Sequence, residues 1–245
     1  AVQRLVKDLK LLGHRRIVMK SDGEPAIVAL KDAVKRESEV EIIPEESPVG
    51  EHQANGEVEA AVKQVQGQFR AMKDALDTRY GKRLGEDHAA IPWLVMHAAA
   101  VVNRYRQDDE GFTAYRRWKG KKFGRDVAEF GEAVPYLESG SAGKDKFVPR
   151  WKEGIWLGVR DESGEVILGT PRGVVKAKDF RRITIEEDRW NGARLDAMKG
   201  VPWEGVPGRG EIETRTKLNL PNEGDVARAL RADEQGPRRV YIKMA

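Results

Sequence analysis

The chain has 245 residues, enough for one large domain or two small ones with a real core. Charged residues make up 34% and hydrophobic ones 40%, which excludes general disorder, and a net charge of +4 leans mildly toward anionic partners. The absence of cysteine excludes disulfides, thiol catalysis and Cys-ligated zinc.

Val2, Leu5, Val6, Leu9 and Leu12 recur at helical spacing, and Gly13 is placed to end that helix. Residues 15–20 read as a short strand, and Pro25 opens a second helix over 25–37. Val40, Ile42 and Ile43 predict another strand, stopped by Pro44. "PEESPVGEHQANG", residues 44–56, is polar, has two prolines and two glycines, and reads as a loop. From Gly56 to about Thr78 the pattern Val58, Val62, Val65, Phe69, Met72, Leu76 predicts a long amphipathic helix, and a further helix spans about 89–104. Strands alternating with helices indicate an α/β layer fold as far as residue 105.

The character of the chain then changes. "GFTAYRRWKGKKFGR", residues 111–125, holds Arg116, Arg117, Lys119, Lys121, Lys122 and Arg125 and no acid. Such a run is a footprint for a phosphate backbone, giving salt-dependent affinity without sequence preference. Trp118 within it reads as a hydrophobic anchor. From Phe130 to Ile183 short β-prone runs, "AVPYL", "GIWLGV", "EVILGT" and "GVVKAKDF", are evenly spaced, which predicts a small β-barrel. Lys176, Lys178, Arg181 and Arg182 near its end form a second basic patch. Residues 183–245 carry eleven Lys/Arg and eleven Asp/Glu with few hydrophobes, and are expected to be mostly flexible. His14, His52, His88 and His97 show no paired metal-ligand spacing. The longest apolar stretch, 93–102, is too short to cross a bilayer, and no signal pattern opens the chain, so an intracellular chain without membrane insertion is expected.

Two acids stand out. Asp22 follows the first strand in Ser21-Asp22-Gly23, at the carboxyl end where an α/β sheet offers ligand sites. Glu59 falls in the first turn of the long helix after Asn55-Gly56, where the helix dipole favours a carboxylate. Taken singly, Asp22 reads as a cap or turn former and Glu59 as a dipole-complementing acid. Asn55 serves the turn in the same way, and Lys63 reads equally as a solvated lysine.

Together, strand–Asp22–helix–strand–loop–Glu59, with thirty-six residues between the acids, resembles the integrase catalytic core of retroviruses and long-terminal-repeat retrotransposons, an RNase H-like fold. The residues that carry this are 21–23, the loop His52-Gln53-Ala54-Asn55-Gly56, Glu59 and the later "PWLVMHAAAVVNRYR". "GFTAYRRWKGKK" resembles the segment after the core in copia-type elements, with Ala114 in place of the usual proline. "FGEAVPYL…GEVILGTPRGVVKAKDFRRI", centred on Gly154-Ile155-Trp156-Leu157-Gly158-Val159, resembles the SH3-like barrel that comes next in those polyproteins.

The resemblance implies that Asp22 and Glu59 are the second and third metal-binding, catalytic acids, holding Mg²⁺ or Mn²⁺ for DNA strand transfer. It implies DNA contacts at Gln53, Asn55 and Lys63, beside those expected of the 116–125 run. It also implies element ends and target DNA as partners, homo-oligomeric action and a nuclear location. The first acid of the family lies on a strand well before the second, and only twenty-one residues precede Asp22 here; Asp8 sits in the first helix between Leu5 and Leu9. The expectation is therefore an N-terminally truncated core over 1–105, a basic linker over 106–127, an SH3-like barrel over 128–184 and a flexible tail over 185–245, inactive in integration by itself. Two alternatives stay open: a catalytically silent module binding nucleic acid or chromatin, and another RNase H-like nuclease or transposase.

Overall fold

The computed structural model describes residues 2–21, 23–46, 56–138, 150–209 and 238–240. The chain is a mixed α/β structure of two compact units, Ala1–Lys63 with Leu218–Ala245, and Gln64–Lys217. The division falls at Lys63, within a helix, and not near residue 105 as the sequence pattern suggests.

In the first unit, α1 (Val2–Leu12) ends at Gly13, whose φ of +74° suits a residue without Cβ. β1 (Arg16–Ser21), α2 (Pro25–Glu37) and β2 (Glu41–Glu46) form a parallel βαβ crossover, in register from Arg16 opposite Glu41 to Ser21 opposite Glu46. Ile17, Met19 and Ile42 point to one face of this pair, where they meet Leu9 of α1 and Val34 of α2 in a small core. Both carboxyl ends, Ser21 and Glu46, lie side by side.

Pro44 does not stop β2. The Glu41 N–H donates to the Arg15 carbonyl, so by strand alternation the backbone nitrogens of residues 43 and 45 face β1 and that of Pro44 faces away. β2 is an edge strand, paired on one side only with β1, and a missing N–H costs nothing on its outer side. The third strand is β7 (Arg238–Val240), parallel to β1 with Ile17 opposite Arg238 and Met19 opposite Val240. The tail expected to be flexible thus supplies a strand to the sheet.

In the second unit, the C-terminal part of α3 (Gly56–Tyr80) and α4 (Ala90–Tyr105) lie against a closed antiparallel barrel of β3 (Ala133–Glu138), β4 (Trp151–Val159), β5 (Val166–Thr170) and β6 (Gly173–Phe180). All four β-prone runs of the sequence are strands. β4 is buried on both sides from Gly154 onward. Trp156 fills the barrel interior with Val134, Tyr136, Leu168 and Ala177, whereas Ile155 and Leu157 face Leu76, Trp93 and Leu94 of the helices. A register shift between Trp156 and Gly158 adds a residue, so Trp156 and Val159 both point inward although three apart.

Residues 186–209 also pack, against expectation. The short helices α6 (Glu186–Arg189) and α7 (Gly192–Asp196) bring Trp190, Leu195 and Met198 into the same core as α3, α4 and β4. Buried charges lock the parts together. Glu132, with no exposed surface, receives two hydrogen bonds from Arg182 at 2.7 and 2.8 Å, and Arg189 stands 3.6 Å away. Arg104, on α4, donates to Asp161 at 2.7 and 2.9 Å and to the Val159 carbonyl, fastening the helix to the end of β4.

Candidate metal-binding acids and nucleic-acid interface

Asp22, Gln53 and Asn55 lie outside the described residues. Ser21 and Gly23 on either side of Asp22, and Gly56 after Asn55, are described. Ser21 ends β1, and its hydroxyl oxygen accepts a hydrogen bond from Lys31 Nζ at 3.1 Å. Lys31 comes up from α2, is only 3% exposed, and stands 3.9 Å from Glu46 at the end of β2. One ammonium thus joins the carboxyl ends of both parallel strands. The sequence pattern passed over Lys31, yet a signal exists: Ile27, Lys31 and Val34 share one helical stripe, and a lysine on an apolar stripe needs an anchor.

Glu59 sits in the first turn of α3 with Glu57, and its side chain is exposed with no ion pair among the described residues. Its oxygens are therefore available, and hard carboxylate oxygens suit Mg²⁺ or Mn²⁺. Lys63 follows one turn later and is exposed as well. Among the described residues no group of three acids or imidazoles converges on a point.

The basic run 116–125 lies in the second unit, and its residues are not alike. α5 (Ala114–Lys119) starts at Thr113, whose hydroxyl accepts the Arg116 N–H at 3.1 Å, and stops at Gly120 with φ +69°. Arg116 stacks over Phe112 at 4.3 Å, and Lys119 lies 3.8 Å from the centre of the Trp118 ring. Arg117 is paired with Asp108 at 2.5 Å and Glu110 at 2.9 Å. The Phe112 N–H and the Arg117 guanidinium hold the Asp108 carboxyl below its ordinary range. The run has no acid within it, but two acids just before it answer Arg117, a loop-back that the sequence does not display. Arg125 donates to the Gly164 carbonyl at 2.6 and 3.1 Å, bracing the β4–β5 turn. Lys121 and Lys122 are exposed and carry no side-chain partner among the described residues.

Trp118 belongs to an aromatic group with Tyr115, Phe123 and Tyr105 that joins α5 to α4, in keeping with a hydrophobic anchor. The second basic patch is largely engaged: Lys176 with Glu165 at 3.7 Å, Arg181 over Trp151 at 4.3 Å and Arg182 with Glu132. Lys178 alone of the four stays exposed without such a contact among the described residues. No helix among the described residues is long and apolar enough to cross a membrane. The chain matches no protein-family model and no curated protein.

Proposed function

We propose that this chain is an integrase-type DNA-binding protein in which Asp22 and Glu59 hold divalent metal beside a bound DNA backbone. The observation that carries this reading is the parallel β1–α2–β2 unit. Its two strands end side by side at Ser21, the residue before Asp22 in sequence, and Glu46, and a helix with an exposed carboxylate in its first turn follows; this order supports the reading. A four-stranded closed barrel comes next in the chain, in the order expected of an integrase core followed by an SH3-like domain. Bound Mg²⁺ would supply charge neutralisation and activation of an attacking oxygen in phosphodiester exchange. The chain's own part is to present hard oxygens from two elements, with Lys31 fixing the strand ends. Gln53, Asn55 and Lys63 are assigned to DNA near the acids, and Lys121 and Lys122 to the phosphate backbone elsewhere. Action as a homo-oligomer in the nucleus belongs to the same reading.

Calorimetric titration of the 245-residue chain with Mn²⁺ tests it. Glu59→Gln and Asp22→Asn should each weaken uptake at least about tenfold, since each removes a charged ligand. Unchanged uptake in both variants would remove the metal from the reading. A nucleic-acid-binding module without metal chemistry is the second reading, favoured by Lys121 and Lys122, which have no side-chain partner among the described residues. It predicts that Lys121→Ala with Lys122→Ala lowers the slope of log K against log salt by about two, whatever stands at Asp22 and Glu59.

A further inference from the structure

One end of the barrel is wrapped by residues 198–209, "MKGVPWEGVPGR". The Lys199 N–H donates to the Thr170 carbonyl at 3.1 Å, and the Val174 N–H donates to the Gly205 carbonyl at 2.7 Å. The loop therefore flanks the β5–β6 hairpin, whose tip is Pro171-Arg172. Within the loop, Val201 and Glu204 exchange two backbone hydrogen bonds, each 3.0 Å, with Pro202 and Trp203 at the centre of the turn. Gly200, at φ +91°, lies so close to the Gly205 carbonyl that no Cβ fits, and its own carbonyl accepts the Trp93 indole N–H at 2.9 Å. The base of the turn is thus held from several sides.

Trp203 stands at its tip and is 62% exposed, whereas the other five tryptophans are buried or half-buried. Arg172, at the hairpin tip, and Lys199 and Arg209, in the loop itself, are exposed, and none makes a side-chain ion pair or hydrogen bond among the described residues. The acid of the loop, Glu204, is half-buried and accepts the Gly208 N–H at 2.6 Å. Three cations without side-chain partners among the described residues, in the same loop and hairpin as an exposed indole, differ from the 116–125 run, where most cations have partners.

We propose that this turn binds an unpaired nucleotide, the base stacking on Trp203 and the flanking phosphates resting on Arg172, Lys199 and Arg209. The cations alone would accept any polyanion. The indole adds a preference for a base with an open face, because in a duplex both faces of a base are covered by its neighbours. A turn already fixed by its own hydrogen bonds loses little freedom on binding. The inference rests on nucleic acid being the partner, as proposed above, but on neither Asp22 nor Glu59.

The test is fluorescence anisotropy of the full chain with labelled oligothymidylate and with a labelled duplex of equal length, both in EDTA so that no divalent metal takes part. Trp203→Ala should weaken oligothymidylate binding roughly tenfold and leave duplex binding unchanged, with Trp203→Phe retaining most of the affinity. Arg172→Ala combined with Lys199→Ala should weaken both and flatten their salt dependence. Far-UV circular dichroism confirms that each variant is folded. Equal single-strand binding by wild type and Trp203→Ala overturns the proposal, and so does an equal loss on both probes. Polyglutamate competing as well as oligothymidylate overturns it in favour of an acidic protein partner. A wild-type chain that binds neither probe overturns the nucleic-acid reading as a whole, whereas a failure of the Mn²⁺ titration alone leaves this site standing.

Discussion

Burial keeps the His97 imidazole neutral where it stacks on Phe130 at 5.5 Å and meets the edge of Trp156 at 5.1 Å. Desolvation, with the Arg104 guanidinium adding to it, pushes its pKa down from 6.5 to about 4. In the unfolded chain the ring titrates near its ordinary value of about 6.5. Between these two values the unfolded state binds a proton that the native state does not, so stability falls as pH drops through that window and levels off below it. The full effect is on the order of 3 kcal/mol. Urea unfolding of wild type and His97→Phe at neutral pH and near pH 4.5 should show the variant losing about 2 kcal/mol less than wild type over that interval. Equal losses would place the acid sensitivity elsewhere. Nothing in the sequence marks His97 as a core residue beyond its place in an apolar helix. Lys31, Arg104 and Glu132 are harder to read. Their partners Asp161 and Arg182 lie fifty or more residues away from Arg104 and Glu132, and only the fold brings them together.

At the level of elements, apolar periodicity made α1 to α4 legible, and evenly spaced β-prone runs broken by Gly and Pro made β3 to β6 legible. The same rule failed after residue 185. Trp190, Leu195 and Met198 are buried in one core but belong to helices of four and five residues and the turn after them, too short for a period to show, and the charges between them, Arg194 and Asp196, pair with Glu153 and Lys82. Leu195, with no exposed surface, gives the measurement that separates a packed segment from a loose one. Leu195→Ala should cost about 3 kcal/mol in urea unfolding, the usual range for a buried leucine. No loss of stability would mean that 186–209 does not contribute to the core. Pro44 shows a related failure: as a strand breaker it is judged by its missing N–H, but the penalty depends on which side of the strand that group would face.

The molecule as a whole joins sequence-distant pieces in two ways that no local pattern announces. Glu59 was legible as a first-turn acid because the helix pattern after Gly56 is a local signal, whereas Asp22 lies outside the described residues. The association of the Trp203 turn with the β5–β6 hairpin was not legible, because it depends on the long-range pairing of Val174 with Gly205. The first unit depends on a still longer connection. Among the described residues its core has five buried residues, Leu9, Ile17, Met19, Val34 and Ile42, and so small a core is marginal by itself. β1 is the central strand only because β7 pairs with it on the side away from β2. Deleting residues 218–245 would turn β1 into an edge strand and strip its backbone groups of partners opposite Arg238–Val240. The second unit keeps both of its apolar clusters within 64–217 and loses none of them. Hydrogen exchange followed by mass spectrometry on the truncated chain should therefore show faster exchange across Ile17–Met19, with β3 to β6 protected as in the full chain. Unchanged protection of β1 would mean that β7 adds nothing to the sheet. A loss spread over the barrel would mean that the two units do not unfold separately.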